Sequence, residues 1–413
     1  MFKLLYADDK GRFYDHPGLL AAARTGERIT EIRPEEMIPM PPGSSLVFIP
    51  GGSPVGIDRR GNFVLLKEAG GKRALAVAAL LPQGYTRTLL PAYYRSSVRP
   101  LPLFGYAAVA WRKGRVWVAA HRTDDPARWD PRHYNTPDLP GRIARRLAES
   151  PHNPVLRQLA RCAQHYSCFT AQNIFYCRWE GGLPVSPACN AGCLGCISRQ
   201  PAGRCPSPQE RIKEAPPQDA VVEVMEHHLA RAPEAIISFG QGCEGEPLLQ
   251  ADLVAGAIAR VRSRVSRGTI NMNTNAGSPE GVRKVVEAGI NSLRVSLFSA
   301  DPELYNLYHR PRGFGLGEVA ASIKLARRAG VFVSLNLLVM PGFTDRAGEV
   351  EKLLSFLAET GVNMVQLRNL NIDPDYLFRH LPPAKGELLG VPGLIARLRE
   401  IKGLAVGSCN RAL

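Results

Sequence analysis

The chain has 413 residues, 45% of them hydrophobic and 22% charged, the balance of an ordinary globular protein with room for one large domain or two to three smaller ones. Gly and Pro, 39 and 34 residues, stay under a fifth of the chain, which excludes low-complexity disorder and collagen. No apolar run approaches the ~20 residues of a membrane span, and MFKLLYADDKGR does not read as a signal peptide, so a cytoplasmic location and no membrane partner are expected. The formal charge of +15 suits an anionic partner such as nucleic acid or a phosphorylated substrate, or simply a solvated Arg-rich surface.

Residues 1–130 carry short apolar runs broken by turn signals, among them SLVFIPGG, GNFVLL, RALAVAALL and FGYAAVAWRKGRVWVAAHR. They read as a β-rich accessory domain, with HPGLLAAARTGE as its one short helix between Pro17 and Gly26. Residues 131–182 read as a helical connector, in which Arg142, Arg145, Arg146, Arg157 and Arg161 face the single acid Glu149. RVRSRVSRG is a second basic stretch, and neither is interleaved with the aromatics of a base-stacking surface.

From about residue 183 to 413 helical patterns alternate with short apolar strands, the signature of a parallel sheet with crossover helices. A strand near 183–187 and five more (AIISFG, TINMNTNA, SLRVSLFSA, VFVSLNLLVM, MVQLRNLNI) predict an α/β fold. They make a partial (β/α)6 TIM-like barrel, short of the eight strands of a complete one, closed by the helix LIARLREIKG.

Seven of the nine cysteines lie between 162 and 205, a density that in a reducing compartment reads as metal or redox chemistry before disulfides. SPACNAGCLGCIS places Cys189, Cys193 and Cys196 in a C-x3-C-x2-C array. Three thiolates can hold three irons of a cubane and leave the fourth open, where a cluster that only carries electrons usually has four protein thiolates. The same cysteines with His165 or Cys205 could instead hold zinc.

This array, followed by strand–helix repeats, resembles the radical S-adenosylmethionine (radical SAM) superfamily. Gly245, Glu246 and Pro247 in SFGQGCEGEPLL are similar to the family's GGEP element, TINMNTNAG to its third strand end, and PGFTD recurs after the fifth strand. The resemblance covers about residues 183–375. It implies an enzyme with a [4Fe–4S] cluster on Cys189, Cys193 and Cys196 whose open iron chelates S-adenosylmethionine. Reductive cleavage then gives a 5′-deoxyadenosyl radical that abstracts hydrogen from a peptide or protein, an RNA or a small metabolite. Anaerobic chemistry and a reductant such as flavodoxin or ferredoxin follow from the same resemblance. Two features depart from the pattern: Gly195 stands where an aromatic residue often precedes the third cysteine, and Cys243 and Glu244 are inserted before the GEP element.

Strand ends supply the remaining candidates, because residues there line sites in such folds. Gly245 and Glu246 are placed against the methionyl ammonium, Asn273 and Asn275 against ribose or carboxylate, and Ser296, Ser299 and Asn336 are weaker ribose candidates against the alternative of plain core hydrogen bonds. Polar groups on a buried strand need partners, so Arg368 is assigned to S-adenosylmethionine or an anionic substrate. Asn369, Asn371, Asp373 and Arg312 are looser candidates. Cys162, Cys168, Cys177 and Cys205 are candidate ligands of a second iron–sulfur cluster, against the alternative of inert buried thiols. His227 and His228 read as surface residues. The competing class is a non-catalytic zinc or iron–sulfur module that binds nucleic acid. The reaction type has no signature in the sequence, and no residue is singled out as catalytic.

Overall fold

The computed structural model describes residues 1–201 and 204–413. The first part is a connected antiparallel sheet of fourteen strands, running from Lys3–Ala7 to Arg115–Arg122. The predicted helix is a strand instead. Phe13–Thr25 pairs with Lys3–Ala7, Arg28–Glu31, Gly52–Ile57 and Leu90–Pro91. Leu19 to Ala23 favour a helix locally, but hydrogen-bonding neighbours along both edges outweigh that preference.

Three helices follow: α1 (Leu139–Glu149), α2 (Pro154–His165) and α3 (Phe169–Tyr176). Asn153 caps α2 by accepting from the N–H groups of Val155 and Leu156. Four of the five connector arginines are already engaged: Arg142 with Asp138, Arg146 with Glu223 and Glu149, Arg157 with the Pro151 carbonyl, and Arg161 with Glu210. A phosphate-binding stripe needs guanidinium groups free to meet phosphate, and this one is largely spent within the protein.

The second part is one parallel sheet of seven strands in chain order: β1 (Glu180–Gly182), β2 (Ile236–Phe239), β3 (Thr269–Thr274), β4 (Ser292–Leu297), β5 (Phe332–Val339), β6 (Met364–Asn369) and β7 (Ala405–Gly407). β1 thus lies just before the expected 183–187, and β7 is a short strand that the sequence reading lacked. Helices α4 (Gln218–Arg231), α5 (Ala251–Arg262), α6 (Pro279–Glu287), α7 (Pro302–His309), α8 (Leu316–Arg328), α9 (Ala347–Thr360), α10 (Pro374–Phe378) and α11 (Gly390–Arg399) fill the crossovers. Local signals set their ends. Asp301 accepts from the N–H groups of Glu303 and Leu304 at the start of α7, and Gly361 takes φ +66° to end α9. His228 on α4 is fully buried, against expectation, with Nε2 on the Trp179 carbonyl. No described helix is long and apolar enough to cross a membrane.

The main core lies between these helices and the outer face of the sheet, with Val254, Ile258, Val282, Val319, Ile323 and Leu394 wholly buried. A second cluster joins Leu90 and Leu103 of the β-rich part to Phe298, Met340, Phe343, Leu370 and Ile372 at the carboxyl end of the barrel. There the β-rich part docks. Arg87, fully buried, donates to the carbonyls of Tyr106 (3.3 Å) and Leu370 (2.8 Å), and its backbone N–H donates to Asn369 Oδ1. Arg95 pairs with Asp373 at 2.7 Å, both almost wholly buried, and Arg24 pairs with Asp375 at 2.6 Å. Gly26 and Gly342 cross with backbones so close that a Cβ on Gly342 would stand 1.9 Å from Gly26 N.

Candidate active site

The inward face of the barrel is polar. Asn271 and Asn273 alternate on β3, Ser292, Arg294 and Ser296 on β4, and Ser334 and Asn336 on β5, with Gln366 and Arg368 on β6. At its floor Glu180 Oε1 accepts from Ser238 Oγ and Asn410 Nδ2, both at 2.6 Å, while Gln366 reaches Ser334 and Asn410. Above this network a cavity of about 360 Å³ opens toward the cysteine loop. Cys189, Cys193, Cys196, Gly245, Glu246, Asn273, Asn275, Ser296, Asn336 and Arg368 all line it. Larger hollows exist elsewhere, but this one gathers thiols, carboxylates, amides and guanidinium groups.

The cysteine loop is held from two sides. Leu194 N–H donates to the Tyr308 carbonyl and Gly192 N–H to the His309 carbonyl, both from α7. On the other side Gly245 N–H donates to Ser186 and Glu246 N–H to Ala188, so the GEP segment runs as a short ribbon beside the loop's entry. A Cβ on Gly245 would meet Ala188 O at 1.8 Å, so only glycine allows this approach. A side chain at Gly195 would meet the Tyr308 hydroxyl, which fills the room that an aromatic residue there would need.

Glu244, part of the inserted dipeptide, is the residue that sequence reasoning missed here. Its carboxylate accepts from Val185 N and Ser186 N at 2.8 and 3.0 Å, and from Gly240 N and Gln241 N. It thereby ties the end of β1 to the end of β2, and burial pushes it up to about 7 against those four donors. Glu246 has a similar duty. Its Oε1 accepts from Leu248 N and from Thr274 Oγ1 (2.5 Å), its Oε2 from Asn275 N (2.8 Å), leaving one lone pair toward the cavity. Burial raises its carboxyl above the usual range.

His309 approaches the loop from α7 with Nδ1 3.5 Å from Cys193 Sγ. Its Nε2 faces the N–H of Phe298 at 3.2 Å and must accept, so the proton sits on Nδ1 and points at the sulfur. Burial drives this imidazole down to about 3, so it stays neutral. Desolvation, first, and then the neighbouring thiols raise Cys193.

Several looser candidates serve the docking seam or the helices instead. Asn369 lines the cavity yet spends its amide on Arg87 N and the Tyr85 carbonyl, and Asp373 is spent on Arg95, Leu101 N and the start of α10. Asn371 lines the cavity but lies against Gly105. Ser299 donates to Glu349 and lies outside the cavity, as does Arg312, whose backbone N–H donates to the Asn190 carbonyl. Of the candidate second-cluster set, Cys162, Cys168 and Cys177 pack with the helical core and Cys205 with the docking seam. Among the described residues no three His, Cys, Asp or Glu side chains converge to hold a single metal ion.

Residues 183–357 match the family model described as the Radical SAM superfamily, and this stretch is a radical SAM domain. The chain is similar to GTP 3′,8-cyclase of Rhizobium etli (26% identity over 144 residues, 33% of this chain and 40% of the relative). It is also similar to the FeMo cofactor biosynthesis protein NifB of Klebsiella pneumoniae (25% over 177 residues, 40% and 37%). The chain thus spans two-fifths or less of each of these relatives. Among solved structures, Streptococcus suis SuiB bound to precursor peptide SuiA matches 62% of this chain and 53% of that one, at 14% identity and TM-score 0.38. Radical SAM enzymes use a [4Fe–4S] cluster, S-adenosylmethionine and an external reductant. The residues present fit such groups: three thiols face one cavity, and Asn336 Oδ1 is buried there without a partner, an acceptor kept for a ligand.

Proposed function

We propose that the chain is a radical SAM enzyme acting on a substrate bound in the barrel. Cys189, Cys193 and Cys196 would hold the cluster, and Glu246, Asn273, Asn275, Ser296 and Asn336 would contact S-adenosylmethionine. The carrying observation is the convergence of those eight side chains on one cavity inside a radical SAM domain. When bound, the cluster and S-adenosylmethionine supply a 5′-deoxyadenosyl radical that takes a hydrogen atom from substrate. The protein's own contribution is to hold the loop through Gly245 and Tyr308, keep Glu246 and Glu244 locked on backbone N–H groups, and exclude water. Exclusion matters because solvent and side reactions quench reactive intermediates. The docked β-rich part supports it by covering the carboxyl end of β6 through Arg87, Gln83 and Gly105. A flavodoxin or ferredoxin in the cytoplasm would deliver the electron.

Anaerobically reconstituted protein is expected to be brown and, with dithionite, to convert S-adenosylmethionine into 5′-deoxyadenosine, read by chromatography. A colourless protein that binds only zinc would refute the proposal. A second measurement concerns His309, whose Nδ1–H points at Cys193. Donors to a thiolate favour the reduced cluster, so His309→Phe should lower the potential in an EPR-monitored titration. Each 1.4 kcal/mol of lost preference corresponds to about 59 mV for one electron.

A further inference from the structure

The buried arginines of this protein are paired almost without exception. Arg95 has Asp373, Arg24 has Asp375, Arg146 has Glu223, and Arg87 has two carbonyls. Arg294, partly buried, has no such partner. It lies on the inward face of β4, one inward step below Ser296, and its guanidinium lines the cavity. Its Nε is sealed from solvent without a partner, and among the described residues the side chain makes no hydrogen bond or ion pair. Burial, and then the nearby charge of Arg368, push it down to about 10, so it keeps its proton in neutral solution.

Arg368, across the same cavity, has only the neutral Gln83 Oε1 of the β-rich part at 3.1 Å. Glu180, whose charge acts on Arg294, is occupied by Ser238, Asn410 and Gln241 on one oxygen and, among the described residues, makes no ion pair with either arginine. Two like charges therefore line one cavity, and among the described residues neither forms an ion pair, an arrangement that a bound anion would relieve. Guanidinium groups meet planar or tetrahedral oxyanions through paired N–H donors, which makes such an anion the natural occupant.

We infer that Arg294 and Arg368 form an anion subsite for the substrate at the depth of the barrel, and that the substrate carries a carboxylate or phosphate group. The inference rests on the enzyme reading above and extends it to substrate class. The subsite lies below the cysteine loop, so the substrate's anionic end points to the floor and its other end to the cluster. Gln83 orients Arg368, which gives the β-rich part a share in recognition.

The test uses the reconstituted full chain with inorganic phosphate and malonate as probes, titrated calorimetrically with and without saturating S-adenosylmethionine. One probe is expected to bind at one site, equally well in both conditions, and Arg294→Gln should weaken it at least tenfold. Arg294→Met, which removes an unpaired charge, should also unfold at a higher temperature than wild type in anion-free buffer. Displacement of the probe by S-adenosylmethionine would assign the arginines to the cofactor's carboxylate and overturn the inference. So would unaltered binding in Arg294→Gln, or a lowered unfolding temperature in Arg294→Met. A protein that cleaves S-adenosylmethionine yet binds neither probe would overturn the subsite alone. Failure to cleave S-adenosylmethionine would instead overturn the enzyme reading.

Discussion

Replacing Cys189, Cys193 and Cys196 together by Ala is expected to abolish 5′-deoxyadenosine formation, a loss limited only by the assay's background. Among the described residues the three thiols are the only cysteines lining the cavity, and each would hold a separate iron. The same variant separates one cluster from two. Cys162, Cys168 and Cys177 pack with the helical core and Cys205 with the docking seam, so iron in the triple variant should fall to near zero. Retention of about four irons per chain would show a second cluster in spite of this dispersal. Persistence of both iron and 5′-deoxyadenosine would end the assignment of these ligands.

The second large effect falls on stability. Asp373 accepts from Arg95 at 2.7 Å and from Leu101 N at 2.9 Å, with its other oxygen capping α10. Asp373→Ala strands the Arg95 guanidinium in a buried seam and should cost about 3–5 kcal/mol, the usual penalty for breaking a buried pair from one side. Urea unfolding should show the first transition at clearly lower denaturant. Adding Arg95→Met should recover part of the loss, because the uncompensated charge is then gone. An unchanged midpoint in Asp373→Ala would mean that the seam contributes little.

What the sequence disclosed tracks how local each signal is. The cysteine spacing, the alternation of Asn273 and Asn275 and the GEP element each sit within a few residues, and all of them reach the cavity. Glu244 stood out only as an insertion, and its role stayed hidden because its partners are backbone N–H groups of two loops brought together only by β1 and β2. Arg294 escaped because SLRVSL reads as an apolar strand with one ordinary charge. The run QLRNLNIDPDY was rightly read as needing partners, but for Asn369 and Asp373 the partner is the docked β-rich part. Leu19 to Ala23 misled in the opposite direction: one edge pairs with the distant Gly52–Ile57, outside any local window, while the other is a hairpin with Arg28–Glu31 whose turn at Gly26 read as a helix end. The three residues of β7 are too few for periodicity to mark.

Residues 408–413 act as a clasp across the open side of the barrel. Asn410 holds Glu180 of β1, Leu413 N donates to Thr269 of β3, and Ser408 meets Thr123 while its N–H joins Asp124. These contacts join positions 230, 144, 285 and 284 residues apart in the chain. Bringing such distant segments together is entropically slow, and proteins dominated by such pairings fold slowly. During synthesis the hairpins of the β-rich part can close as they emerge. Its seam must wait for Asp373, and the floor beneath Arg294 for Asn410. Until then the polar inner face of β1 to β6 stands open, so the nascent chain spends the longest interval exposed at the surface that later becomes the reaction chamber.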